Sequence, residues 1–259
     1  MRLLFIFLFT SLLFPVWAQS GDYPGRATYP RVNVYETEQL NREFENVIIV
    51  DVRSNFEFNT LHINNAINIP LNSKNFRRLI SDLQRERKPI VFYCNGHSCY
   101  KSYKAARKAR RAKIANIFAY DSGIFDWAKA HPEKAVLLGT SPVDTNLLLS
   151  KADLKKYLLS PQEFSSTIND KAVILDVREA SQRGLLELFP YRQENISMDE
   201  QKKLDRFLKG IKGSGSTLLV YDEAGKQVRW LQYYLEDHGI SKYYFMEGGV
   251  KNYFKSLTN

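Results

Sequence analysis

The stretch Val47-Ile48-Ile49-Val50-Asp51-Val52-Arg53 is an aliphatic run closed by an acid and a base, and the chain carries it twice. It returns as Ala172-Val173-Ile174-Leu175-Asp176-Val177-Arg178. Two further islands follow in the same order. Pro89-Ile90-Val91-Phe92-Tyr93-Cys94 returns as Thr217-Leu218-Leu219-Val220-Tyr221-Asp222, and Asp121-Ser122-Gly123-Ile124 returns as Glu247-Gly248-Gly249-Val250. Islands repeated in fixed order indicate an internal duplication. Short apolar runs without polar alternation predict parallel strands buried on both faces. Helices are expected between them, over residues 73–85, 102–113, 198–212 and 226–238. Strands alternating with helices give an α/β fold: two units, each a mostly parallel sheet flanked by helices, with right-handed crossovers.

The first unit is placed at residues 30–135 and the second at 155–259, joined by a linker over 136–154 that contains Gly139, Thr140, Ser141 and Pro142. The segment 147–159 has room for one more helix. Residues 19–31, with Gly, Pro and Tyr, are expected to form a loosely held arm. Before them, Arg2 is followed by an apolar run over 3–14, broken only by Thr10 and Ser11, and then by Val16 and Ala18 at the positions a signal peptidase reads. That pattern predicts a secretory signal peptide over residues 1–18, and the run is short of the ~20 apolar residues of a membrane span. The expected mature protein is extracytoplasmic, periplasmic if its source is a Gram-negative bacterium, with no stable membrane insertion and no nucleic-acid partner. Such a compartment permits disulfides.

The chain has 259 residues, 44% hydrophobic and 25% charged, a composition of globular domains rather than of a disordered chain. Lys plus Arg is 37 against 28 for Asp plus Glu, so the net charge of +9 favours anionic ligands without naming one. Two cysteines and four histidines exclude a disulfide scaffold and a zinc-finger array. Neither a metal nor a cofactor is expected.

Cys94 closes a strand and a helix follows. In parallel sheets, ligands bind beyond the carboxyl ends of the strands. Between strand and helix the chain reads Asn95-Gly96-His97-Ser98-Cys99-Tyr100-Lys101-Ser102. Backbone N–H groups of such a loop, opening into a helix N-terminus, attract anions and favour a thiolate over a thiol of ordinary pKa about 8.5. Gly96 permits a tight curl, Ser98 and Ser102 offer hydroxyls, and Lys101 adds a cation. His97 is either a donor to a bound anion or an idle loop residue. The cations from Lys101 to Lys113 alternate with alanines at helical spacing, which gives a solvated basic face or one that steers anions toward the loop.

Asp51-Val52-Arg53, Glu57, His62-Ile63 with Ala66, Asn68, Ile69 and Pro70, the strand ending in Cys94, Gly123-Ile124 and Trp127 together resemble the rhodanese (sulfurtransferase) domain. The second unit is similar in its first strand, its Tyr221-Asp222 strand and its Gly248-Gly249 turn, but lacks the segment from His-Ile to Ile-Pro. The resemblance implies a thiosulfate- or mercaptopyruvate-type sulfurtransferase. Cys94 takes the outer sulfur of a small anionic donor as a persulfide and yields it to a thiol or cyanide-like acceptor. Asn95 to Ser102 bind the donor, while Asp51 and Arg53 brace the sheet end. Two features depart from the family. Cys99 stands where the family's loop has a basic residue, and the loop is two residues longer than its counterpart between Asp222 and Val228. Related phosphatases also enlarge this loop, but with an Arg fork for phosphate that is missing here. Cys99 is a redox partner for Cys94 or a packed small thiol. Asp222 replaces the cysteine in the second unit, which is therefore expected to be degenerate and inactive. The alternatives to catalysis are a rhodanese-like scaffold and a thiol–disulfide protein using Cys94 and Cys99.

Overall fold

The computed structural model describes residues 23–184 and 186–258, so the expected signal peptide lies outside the described residues. The first unit contains β1 (Val34–Tyr35), β2 (Ile48–Asp51), β3 (Leu61–Ile63), β4 (Ile67–Asn68), β5 (Ile90–Tyr93), β6 (Ile117–Tyr120) and β7 (Ala135–Leu137). The second contains β8 (Leu158–Leu159), β9 (Ala172–Asp176), β10 (Gln193–Asn195), β11 (Thr217–Tyr221) and β12 (Tyr243–Met246). One sheet runs β1-β6-β5-β2-β4 and the other β8-β12-β11-β9-β10, every pair parallel. The two orders are the same, strand for strand, as the repeated islands require.

The central strands are buried on both faces. Ile90, Val91, Phe92 and Tyr93 are fully buried, and their side chains divide between two apolar clusters. Val91 and Tyr93 join the cluster that holds Trp127, whereas Phe92 and Cys94 join the one beneath the helix Lys101–Arg111. That helix buries Ala105, Ala106 and Ala109 and exposes Lys104, Arg107, Arg110 and Arg111. The alternation of alanine and cation thus places the alanines against the sheet and the charges in solvent.

All four expected helices are present in slightly shorter form, at Phe76–Leu83, Lys101–Arg111, Gln201–Ile211 and Val228–Asp237. The segment 147–159 holds a short helix, Lys151–Lys155, capped by Ser150, and then β8, the edge strand of the second sheet. The first unit reaches beyond residue 135. Strand β7 pairs antiparallel with β3, and Leu138 N–H donates to the Thr60 carbonyl at 2.8 Å. Long-range antiparallel pairing therefore claims part of what composition alone reads as linker.

From residue 23 on, the head is not loosely held. Within the described part of that arm, Pro24–Thr28 is helical, Arg26 pairs with Asp121 at 2.9 Å, and Tyr29 is buried and stacked on Tyr103 at 5.3 Å. Gly25 explains the fit, because a β-carbon there would lie 2.3 Å from the Tyr103 ring. Aromatic burial and a half-buried ion pair outweigh the flexible composition.

One apolar cluster runs through both units. Phe125 stacks on Trp230 at 5.2 Å, Phe56 packs against Tyr234 at 5.5 Å, and Arg229 lies 3.9 Å over the Phe125 ring. The helix Val228–Asp237, which follows the second unit's loop, thereby packs beside the helix Asn55–Thr60 of the first.

Candidate functional site

Strand β2 delivers Asp51 and Arg53 to the carboxyl edge of the first sheet, where both are completely buried. Arg53 Nε donates to Asp51 Oδ1 at 2.9 Å, and Nη2 to Asp51 Oδ2 at 2.5 Å and to the Leu61 carbonyl at 2.6 Å. The second unit repeats this with Arg178, Asp176 and the Leu186 carbonyl at 3.0, 2.7 and 2.8 Å. A buried guanidinium requires such complete pairing. In the first unit the network continues to the loop. Arg53 Nη1 donates to Asn95 Oδ1 (3.3 Å), Asn95 Nδ2 donates to Glu57 Oε1 (3.0 Å), and Lys101 Nζ lies 3.5 Å from Glu57 Oε2. Burial pushes the Glu57 carboxyl up, but Arg53, Lys101 and Asn95 outweigh it and hold the group below its ordinary value. Glu57 also closes a capping box with Ser54.

The loop's floor is set by glycine. Gly96 has φ +134°, and Gly123, with φ +73°, sits so near that a β-carbon on it would lie 2.3 Å from Gly96 N. Ile124 N–H donates to the Cys94 carbonyl at 3.1 Å, as Val250 N–H does to Asp222 at 2.9 Å.

The two free thiols occupy unlike environments. Cys94 is 1% exposed, with its side chain in the apolar cluster of Val50, Val52 and Phe92. Its Sγ donates to the Cys99 carbonyl at 3.1 Å and faces Ser102 Oγ at 3.8 Å. Burial pushes the Cys94 thiol well up; its bond to Cys99 and the charge there act in the same direction, against a smaller opposing effect of Ser102. Cys99 is only partly buried. The neighbouring Cys94 thiol is the largest influence on its sulfur. The backbone N–H groups of Lys101 and Asn95 and the Lys101 charge add to it, and against burial they bring Cys99 down to about 6. The sequence expects a lowered thiol at Cys94, whereas burial at the strand end pushes that thiol up.

His97 lies beside the loop, its Nε2 2.7 Å from Asp126 Oδ2 and its ring stacked on Tyr23 at 4.3 Å. His62 contacts the Phe58 carbonyl and stacks on the Phe58 ring, a structural role. Asn95, Gly96, His97, Cys99, Lys101 and Ser102 therefore converge on one loop, with Ser98 exposed and Tyr100 at its rim, edge-on to Tyr29. Sequence reasoning missed Asp126 and Tyr23, which reach the loop from distant elements, and gave Glu57 no role of its own. Asp126 sits three residues after Gly123, but nothing in that spacing points to His97.

In the second unit the corresponding loop is closed by its own carboxylate. Asp222 Oδ1 accepts from Ala224 N at 3.0 Å and also from Gly225 N, while Oδ2 accepts from Gln227 N at 2.6 Å. Asp222 is 1% exposed. A fixed internal anion occupies the amides that an external anion would need.

The family model of the rhodanese-like domain matches residues 36–130. The tRNA uridine(34) hydroxylase of Photorhabdus laumondii is 27% identical over 108 residues, 39% of this chain and 30% of that protein. The enzyme of the same name from Yersinia enterocolitica is 28% identical over 110 residues, covering 40% and 30%. The chain thus spans about 30% of the length of these curated relatives. A solved thiosulfate sulfurtransferase from Pseudomonas aeruginosa is similar at 17% identity with a TM-score of 0.43, over 87% of this chain and 43% of that one.

Proposed function

Because residues 36–130 belong to the rhodanese-like domain family, we propose that the chain is a sulfurtransferase that carries sulfane sulfur as a persulfide on a cysteine of the loop between β5 and the helix Lys101–Arg111. The observation that carries this reading is the loop itself: two free thiols at the carboxyl end of a central parallel strand, followed by a helix that opens at Lys101. The donor is a small anionic sulfur compound of the thiosulfate or mercaptopyruvate type, and the acceptor is a thiol or cyanide. The exposed cations of the adjoining helix support an anionic donor.

The second unit, from about residue 155, is a degenerate copy that packs against the first and performs no transfer. Asp222 supports this, since a carboxylate carries no persulfide and fills its own amide cradle. Export rests on the N-terminal apolar run; among the described residues, no helix is long and apolar enough to cross a membrane.

The test is thiocyanate formation from thiosulfate and cyanide. Wild-type protein is expected to turn over, and the Cys94→Ser/Cys99→Ser double variant to lose turnover. A folded, fully reduced wild type that forms no thiocyanate from thiosulfate or from mercaptopyruvate would favour a binding module.

A further inference from the structure

We propose that the helices Phe76–Leu83 and Lys101–Arg111 form a docking face for an anionic phospholipid surface, on the side of the first sheet away from the second unit. The inference stands independently of the sulfurtransferase reading.

Residues 74–88 and 101–113 contain thirteen Lys and Arg but only two acids, Asp82 and Glu86. That excess is greater than the +9 of the entire chain, so the remaining residues are slightly acidic on balance. The two helices cover one side of the sheet. Phe76 and Ile80 of one, and Ala105, Ala106 and Ala109 of the other, enter an apolar cluster built from the first unit alone. The cluster on the opposite side runs on into the second unit. Lys108 joins the helices, its Nζ lying 4.4 Å over the Phe76 ring. Burial and the charge of Arg77 hold the Lys108 ammonium below its ordinary value, so like charges crowd across the two helices.

The fold does not neutralise these charges. Arg78 and Arg85 share Asp82, and Lys101 meets Glu57. Among the described residues, Lys74, Arg77, Lys104, Arg107, Arg111 and Lys113 have no ion-pair partner. Lys104 with Lys108, and Arg107 with Arg111, are like-charge pairs one turn apart that oppose the helix. Lys101 and Lys104 stand at its N-terminal end, where the dipole disfavours cations. A ligand that supplies negative charge over this area relieves the repulsion.

Several properties select the ligand. Helices of eight and eleven residues are roughly 12 and 16 Å long, too broad a face for one small anion. A protein interface centres on apolar and aromatic anchors. Among the described residues, none of the exposed large hydrophobic side chains falls on these helices. The face therefore adsorbs by charge without entering hydrocarbon, which an anionic headgroup layer permits. Duplex nucleic acid also binds by charge. The N-terminal apolar run, on which export rests, favours the bilayer instead.

The test is sedimentation with phosphatidylcholine vesicles containing about 30% phosphatidylglycerol, against pure phosphatidylcholine, at about 0.15 M salt. Wild type should bind the anionic vesicles and leave the neutral ones. The variant Lys74→Gln/Arg77→Gln/Lys104→Gln/Arg111→Gln should bind about tenfold more weakly or worse. A second variant, Lys202→Gln/Lys209→Gln/Lys251→Gln/Lys255→Gln, removes the same charge from exposed positions of the second unit and should bind as wild type does. All eight positions are exposed, so both variants should keep the wild-type urea midpoint. No binding to anionic vesicles, or equal loss in the two variants, would overturn the docking face. So would wild type that stays on a mixed-sequence duplex RNA in the presence of excess anionic vesicles.

Discussion

Asp51 and Arg53 form a fully buried ion pair whose guanidinium also lies 5.0 Å over the Trp230 ring and 5.5 Å over Tyr93. The same pair recurs as Asp176 and Arg178, with Arg178 5.5 Å over Tyr221. Removing one partner strands a buried charge, which costs about 3–5 kcal/mol. Arg53→Leu should therefore lower the unfolding free energy by about that amount in urea melts. A loss below about 1 kcal/mol would place the pair in the range of surface salt bridges instead. This pair was legible in the sequence, because an acid and a base closing an aliphatic run, twice, leave few roles other than bracing a strand end. The inequality of Cys94 and Cys99 was not legible. It lies in their unlike burial, and the loop's curl decides that.

At the scale of elements, the turn between β6 and the helix Gly123–Ala130 supports the loop from below. Gly123 has φ +73° and no room for a β-carbon beside Gly96 N, just as Gly249 has none beside the Asp222 carbonyl. Gly123→Ala should cost roughly 1–3 kcal/mol of stability through strain and contact. It should also lower thiocyanate formation from thiosulfate, since Gly96 must shift and the loop with it. Unchanged turnover would mean that the loop holds its shape without this turn. Both glycines stand in a repeated island, so the turn was readable in advance. The edge strand β8 was not: Leu158 and Leu159 are two residues whose strand character comes from pairing with β12. Nor was the head. Its Pro, Gly and Tyr read as a loose arm, and only the partners of Tyr29 and Arg26, Tyr103 and Asp121, far along the chain, give its described part a fixed position.

For the whole molecule, the shared cluster around Trp230 and Phe125 makes the two units depend on each other. Trp230 is 2% exposed, and Trp230→Ala should cost about 3–5 kcal/mol. Wild type should unfold in one calorimetric transition and the variant in two; two transitions in wild type would show units that fold apart. The repeated strand pattern was plain in the sequence, but the interface was not, since its aromatics fall on helix faces that only the packed fold brings together. Net charge acts at this scale too. With +9 and a basic helix leading to the loop, kcat/KM for thiosulfate should fall as salt rises from 0.01 to about 0.15 M. Salt-independent turnover would remove steering from the account.

The central claim is that a cysteine of this loop carries sulfane sulfur, and intact mass measures it most directly. Reduced protein mixed with thiosulfate and freed of donor is predicted to gain one sulfur atom, to lose it on adding cyanide, and to gain none when both cysteines are serine. A wild-type mass that stays unchanged with thiosulfate and with mercaptopyruvate would contradict the claim.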